Sequence, residues 1–323
     1  MAIPIRLTCA DYPRLAPLMI GDVKPEGVDL TMIHGTGGSW NARAENIGKA
    51  TSGLEIDGGE ASMAGHLRRI DNGDRSFVGL PVFPLRNFTG RDLYVRNDGA
   101  IRAPADLIGK RVGMYDWVAS GSIWYRHFLH FIGVPPSRLE WWIGDVDKGW
   151  TASHHAQLPE GVHPVAEGRF LSEMLLAGDL EAIYSPPKPA RFIPRTGRSC
   201  VFSRIAARSS ASISVRLGSI RRSTSSCCGE VWERNKFLAR SLTDAFIRSN
   251  AMFAAAQRNF PYAAPWLDCE LEETEALMGA DFYQDGYERN RETVEAFCRQ
   301  AFDLGITKRR ITAEEYFAEF LES

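Results

Sequence analysis

Ile101-Arg-Ala-Pro-Ala-Asp-Leu-Ile-Gly-Lys-Arg-Val-Gly-Met-Tyr115 is followed by the loop Asp116–Gly121 and then by Ser122-Ile-Trp-Tyr-Arg-His-Phe-Leu-His-Phe131. Pro104 opens a short helical turn that Gly109 stops, and Arg111–Tyr115 reads as a strand. Residues 122–131 then read as a helix that ends at Gly133-Val-Pro-Pro136. Working outward, Leu93–Arg96, Leu139–Ile143 and Leu180–Tyr184 are further strands, and Phe170–Ala177 is a helix closed by Gly178. Strands alternating with helices of this length predict βαβ units and a mainly parallel sheet. Upstream, Ile3–Leu7 and Val28–Ile33 are strands and Ala61–Ile70 a helix, while the prolines in Phe77–Pro84 place that strand at an edge or strand end. From Val231 the chain turns helical: Trp232–Asn259, Leu271–Met278, Glu288–Leu304 and Ala313–Leu321. The expected fold class is α/β with a helical C-terminal part.

The 323 residues carry 38 basic and 40 acidic side chains, a net charge of -2, and 44% of them are hydrophobic. That balance suits a folded soluble protein and argues against a chain built to coat nucleic acid or an anionic membrane. No apolar run approaches the length of a membrane span, and the start has no basic-then-apolar leader, so a cytoplasmic location is expected. The six cysteines form no C-x-x-C pair and read as reduced structural thiols. Gly35-Thr-Gly-Gly38 lacks both the Lys-Ser/Thr ending and the GxGxxG spacing of a phosphate loop.

Several stretches read together as one pattern. They are Pro81-Val-Phe-Pro-Leu-Arg86, Asp92-Leu-Tyr-Val-Arg96, the segment Ile101–Gly113, Ser122–Arg126, Glu167–Gly178 and Ala276-Leu-Met-Gly-Ala-Asp-Phe282. The series resembles the 4,5-dihydroxyphthalate decarboxylase family, which is related to type 2 periplasmic substrate-binding proteins. The Pro-Ala-Asp-Leu-x-Gly-Lys-Arg-Val-Gly segment is shared with solute-binding proteins; its combination with Val-Phe-Pro-x-Arg and Leu-Met-Gly-x-Asp-Phe is much more specific. The resemblance implies a two-lobed type 2 periplasmic-binding-protein-like fold with a ligand cleft between lobes. Lobe I would comprise residues 1–92 and 188–323, and lobe II residues 93–187. It also implies a cofactor-free carboxy-lyase for a dihydroxylated aromatic acid, with a small anionic aromatic ligand as partner and a homo-oligomer as one possible assembly. The alternatives are a non-enzymatic binding protein of the ABC-transporter type and an inactive, frame-damaged family member.

Removing a carboxylate from an electron-rich ring needs a proton donor to the ring carbon, cations or N–H groups for the substrate, and support for developing phenolate-like charge. Arg86, after the proline-bounded strand, is the candidate carboxylate clamp, though a strand-end arginine on the surface reads the same way. Ser120, Gly121 and Ser122 stand where a helix begins after a strand, an arrangement that binds anions or simply caps the helix. Tyr115, Trp117 and Trp124 could stack an aromatic ligand or fill the core. Glu60 and Ser62 resemble the family's Glu-x-Ser motif, which implies a cleft position, with Glu60 as the acid if burial raises its pKa. Asp11 and Tyr12, in the first strand–helix turn, occupy another position the resemblance places at the cleft. Phe88-Thr-Gly-Arg-Asp92 stands where family members often have Arg-His-Ser, a departure that bears on the substrate. His127 and His130, and His154, His155 and His163, lack a companion carboxylate motif, so no metal site is expected.

One stretch does not fit. No acidic residue occurs between Glu181 and Glu230, and residues 199–226 hold ten serines and five arginines with no clear period. A flexible Ser/Arg linker is one reading, but a long structureless insertion within a compact lobe is uncommon. A sharper one is that residues 199–228 are translated out of frame. One codon choice for Ser223–Gly229 encodes, in a shifted frame, Ile-His-Leu-Val-Val-Leu-Arg, like the apolar strand the family has there. In that case the lobe would lack one strand with its histidine, and the chain would be unstable or inactive.

Overall fold

In Ile3-Pro-Ile-Arg-Leu-Thr8 alternation sends Ile5 and Leu7 inward and leaves Pro4 and Arg6 at the surface, the period of a half-buried strand. In the computed structural model, which describes residues 2–52, 56–149, 158–190, 199–201, 220–222, 224–261 and 264–323, this strand is β1 (Ile3–Thr8). Helix α1 (Ala16–Met19) leads to β2 (Val28–Ile33), which pairs with β1 in parallel from Ile3↔Val28 to Thr8↔Ile33. Helix α2 (Trp40–Ser52) follows, then β3 (Gly58–Ala61), parallel to β1 on its other side. Ser62 caps α3 (Met63–Asp71) by accepting the Gly65 N–H at 3.3 Å, and β4 (Phe77–Leu80) forms the edge that its following prolines predict.

The chain then runs through β5 (Arg86–Phe88), β6 (Leu93–Arg96), β7 (Arg111–Met114), α4 (Ser120–Phe131), β8 (Glu140–Ile143), β9 (Val162–Pro164), α5 (Leu171–Ala177), β10 (Ala182–Tyr184), β11 (Ser199–Val201) and β12 (Ile220–Arg222). Six of these strands make a sheet in the order β11-β6-β10-β7-β8-β9, with β10, β7, β8 and β9 parallel. A Cβ at Gly113 of β7 would lie 2.8 Å from Leu171 and 2.9 Å from Leu180, so glycine is what lets α5 and its exit strand close on the sheet. Val112, Met114, Ile123, Leu129, Ile183 and Tyr184 are buried here, and the rings of Tyr125 and Tyr184 stack with centroids 4.1 Å apart.

The chain returns as β13 (Thr224–Cys228), antiparallel to both β3 and β4, and completes the first sheet in the order β2-β1-β3-β13-β4. Helices α6 (Gly229–Arg234), α7 (Phe237–Asn259), α8 (Leu267–Met278) and α9 (Arg291–Asp303) follow. Leu242 and Phe246 of α7 and Val294 and Phe297 of α9 are buried in this part.

The chain thus forms two units, residues 1–86 with 222–323 and residues 87–221, each built on its own α/β sheet. β11 pairs with β6, and its residues fall in the second unit. Two expectations change. The strand thought to be lost from the first lobe is there as backbone: Thr224-Ser-Ser-Cys-Cys228 fills the slot between β3 and β4, since ladder hydrogen bonds are made by main-chain groups of any residue but proline. The long helix Trp232–Asn259 is two helices, interrupted at Asn235 and Lys236.

Candidate functional site

Polar side chains of the first unit converge where β1 ends. Gly59 of β3 comes so close that a Cβ there would sit 2.1 Å from the Thr8 carbonyl oxygen, so only glycine lets the two strands finish side by side. The next residue, Glu60, is 2% exposed. Tyr12, in the turn after β1, donates its hydroxyl to Glu60 Oε1 at 2.8 Å. Arg43 of α2 donates through Nε to the Tyr12 oxygen at 2.9 Å and to Glu60 Oε1 at 3.1 Å, and its Nη2 also bonds Glu60.

Cation, phenol and carboxylate hold one another's charge. Burial pulls the Arg43 guanidinium toward neutrality, but Glu60 and then Tyr12 outweigh it, and Arg43 is held more firmly charged than an ordinary arginine. Burial first, and Glu60 second, push the Tyr12 hydroxyl well above the usual tyrosine range. The same two causes raise the Cys9 thiol, so this cysteine at the end of β1 is a poor thiolate nucleophile.

The expected site residues distribute unevenly around this cluster. Glu60 and Tyr12 meet in it. Asp11 accepts the Gly35 N–H at 2.6 Å, the Gly37 N–H at 3.0 Å and the Thr36 hydroxyl at 3.0 Å, so its carboxylate organises the glycine-rich turn. The Gly35 N–H, foremost among these, lowers its pKa. Ser62 caps α3. Arg86 is bound up within its own chain: Nη2 donates to Gln284 O, to Asp285 Oδ1 at 3.2 Å and to Asn290 Oδ1 at 3.4 Å. Burial draws its pKa down to about 10 although Asp285 opposes this, and its role here is to fasten residues 284–290 to the strand end.

The remaining expected residues lie in the second unit. Asp116 accepts the Val118 and Ala119 N–H groups at 2.8 and 3.0 Å, so a carboxylate of the chain itself already sits at the start of α4. Ser120 and Gly121 are buried in the first turn, and Ser122 and Trp124 have no exposed surface. Tyr115 packs against Tyr184 with ring centroids 6.2 Å apart. His163 lies against Trp142 at 4.9 Å, whereas His154 and His155 fall outside the described residues. No group of three His, Cys, Asp or Glu side chains that could hold a metal ion occurs among the described residues.

Three arginines carried no expected role from the sequence. Arg43 sits on a helix that buries only Ala50, so no apolar period marks it. Arg126 is 0% exposed in α4; it bonds the carbonyls of Ser122 at 3.1 Å and Trp117 at 2.5 Å and lies 3.8 Å over the Trp117 ring. Its four-residue spacing from Ser122 and three-residue spacing from Ile123 and Leu129 is the signal that places it on an inward face. Arg14, after Pro13, is the third, and it lines a cavity of about 480 Å³ within the first unit. Tyr12, Pro84, Arg86, residues of α7 and the segment 280–285 form its other walls.

Set against known proteins, the chain matches no protein-family model. It is 28% identical over 336 aligned positions to a 4,5-dihydroxyphthalate decarboxylase of Comamonas testosteroni, covering 98% of this chain and 96% of that one. A 4,5-dihydroxyphthalate decarboxylase of Pseudomonas putida is 30% identical over 193 positions, 58% of this chain and 72% of the relative. Among solved structures, the periplasmic sulfonate-binding protein SsuA of Methylobacillus flagellatus KT superposes with a TM-score of 0.55 at 10% identity, covering 99% of this chain and 94% of that chain, a likeness of fold.

Proposed function

The chain belongs to the 4,5-dihydroxyphthalate decarboxylase family, and on that premise we propose that it is a carboxy-lyase for a dihydroxylated aromatic acid such as 4,5-dihydroxyphthalate. The observation that carries this reading is the buried Tyr12–Arg43–Glu60 cluster, which sets a fixed cation, a proton-bearing phenol and a carboxylate within hydrogen-bond reach of each other. Such a decarboxylation needs electron density pushed from a ring oxygen toward the carbon that bears the leaving carboxylate, and a proton delivered to that carbon. Glu60, paired with Arg43 and already accepting from Tyr12, suits the role of proton acceptor better than that of acid.

In the proposed step Glu60 takes the proton of the ring hydroxyl para to the carboxylate, and the Tyr12 hydroxyl protonates the carboxylate-bearing carbon. The carbon–carbon bond then breaks, its electron pair returns to the ring, and carbon dioxide leaves. Glu60 hands its proton back to the ring oxygen. The tyrosinate, stabilised meanwhile by Arg43, regains a proton from solvent, so one proton is consumed per carbon dioxide released. The test is carbon dioxide release from purified protein given 4,5-dihydroxyphthalate. Tyr12→Phe is expected to lower kcat by about 10²–10⁴-fold while the protein stays folded. Absence of turnover with any hydroxylated phthalate or benzoate overturns the reading, and a ligand-induced thermal shift without turnover would leave a binding protein in its place.

A further inference from the structure

Four arginines line the cavity of the first unit, and three have a carboxylate. Arg86 pairs with Asp285 at 3.2 Å, Arg258 with Glu275 at 2.6 Å and Arg289 with Asp281 at 3.3 Å. Arg14 has none among the described residues. Its Nη2 donates to the carbonyl oxygens of Phe83 and Pro84, its Nη1 has no hydrogen-bond partner among the described residues, and the side chain lies 5.2 Å over the Tyr283 ring. Yet the residue is only 8% exposed. A guanidinium taken out of water with neutral partners alone is costly, and an anion beside it recovers much of that cost.

The room for such an anion is adjacent. At about 480 Å³ the cavity is in the range of small-molecule sites, far larger than a halide or phosphate needs. Its walls also include the apolar Ile247, Ala251, Phe253 and Ala254 of α7 and the rings of Phe282 and Tyr283, with Asn250, Gln257 and Gln284 as uncharged polar groups. One uncompensated cation among apolar and aromatic walls matches a ligand with one negative charge on an aromatic body.

We propose that this cavity is a binding site for a small aromatic carboxylate, with the carboxylate on Arg14 and the ring against Tyr283, Phe282 and α7. Tyr12 lines the same cavity while its hydroxyl bonds Glu60, so an occupant touches the far side of the Tyr12–Arg43–Glu60 cluster. Binding here requires no decarboxylase activity.

Calorimetric titration of the full chain with benzoate, and with neutral benzamide as control, tests it. Benzoate is expected to bind, and benzamide to bind about tenfold more weakly or not at all. Arg14→Met is expected to remove that preference, and Ala254→Trp, which fills the cavity from α7 without touching Arg14, to abolish benzoate binding. Circular dichroism establishes that each variant is folded; if Arg14→Met is not, Ala254→Trp and the benzamide comparison decide. No benzoate binding to the unaltered chain, equal affinity for benzoate and benzamide, or undiminished binding in folded Ala254→Trp overturns the proposal. Because the readout is binding alone, its failure is distinct from a failure to release carbon dioxide.

Discussion

Arg43 in the first unit and Arg126 in the second are both sunk below the surface, and their surroundings drive them in opposite directions. Arg43 meets a carboxylate, and Glu60 makes its charge harder to remove than that of an exposed arginine. Arg126 meets two carbonyls and an indole face; burial wins over the attraction of Asp116, and its pKa falls to about 9. The same side chain therefore does different work. Where a carboxylate is in contact, each partner depends on the other for its charge. Where only dipoles and a ring are in contact, the guanidinium carries its own desolvation cost and acts mainly as packing.

The largest effect should come from breaking the compensated pair. Glu60→Gln leaves Arg43, whose side chain is 15% exposed, facing a neutral amide. A loss of about 3–5 kcal/mol is expected, read as a fall in the denaturant midpoint at pH 7. A loss below about 1 kcal/mol would mean that Arg43 does not rely on Glu60.

His66 sharpens the contrast from within the first unit. It is 5% exposed, its Nε2 lies 3.4 Å from the Tyr316 carbonyl oxygen, and burial pulls its pKa to about 4. Arg75 and Arg69 lower it further, with Asp74 opposing. Unfolded, the imidazole takes a proton below about 6.5, so between that pH and about 4 the unfolded state binds more protons and stability falls as the solution is acidified. The contribution reaches about 3 kcal/mol at the acid end. In His66→Gln the drop in Tm between pH 7 and pH 4.5 should be smaller than in the unaltered chain. An equal drop would assign the acid sensitivity to other groups.

The other side of the comparison is tested by Arg126→Met. Removing a guanidinium that bears its own desolvation cost should lose about 1–2 kcal/mol, for the carbonyl bonds and the indole contact, and clearly less than Glu60→Gln loses. The two denaturant midpoints, measured together, reverse the comparison if Arg126→Met proves the more damaging.

These contrasts also mark where the sequence was readable. Ile3–Leu7, Val28–Ile33, Leu93–Arg96 and Arg111–Met114 announce themselves because strand alternation and glycine stops are local. Glu60 and Ser62 stand in a short Glu-x-Ser pattern that a sequence displays directly, and Glu60 follows the end of a strand-like segment. Arg43 has no such pattern, since its partners are 17 and 31 residues away and its own helix has almost no buried face. Arg86, singled out as a ligand clamp, meets Gln284, Asp285 and Asn290 from about two hundred residues downstream, partners that spacing cannot reveal.

The smallest expected effect concerns β13, which lies beside the strand that carries Glu60: Ser225 pairs with Glu60, and Ser226 with Gly59 on one side and Gly79 on the other. Every residue of the flanking strands β3 and β4 is buried. A central strand between two such neighbours is the setting in which β-branched apolar residues outperform serine. This supports the proposal that residues 199–228 are read in a shifted frame. Ser226→Val, at a position whose ladder partners are Gly59 and Gly79, is then expected to stabilise the chain by about 0.5–1 kcal/mol, seen as a rise in the denaturant midpoint. A serine selected to satisfy a polar partner would give the opposite sign. The nucleotide sequence over codons 195–232 supplies the second check: an apolar strand in an alternate frame upholds the shifted-frame proposal, and its absence ends it, leaving Thr224-Ser-Ser-Cys-Cys228 as the strand this sheet was built to hold.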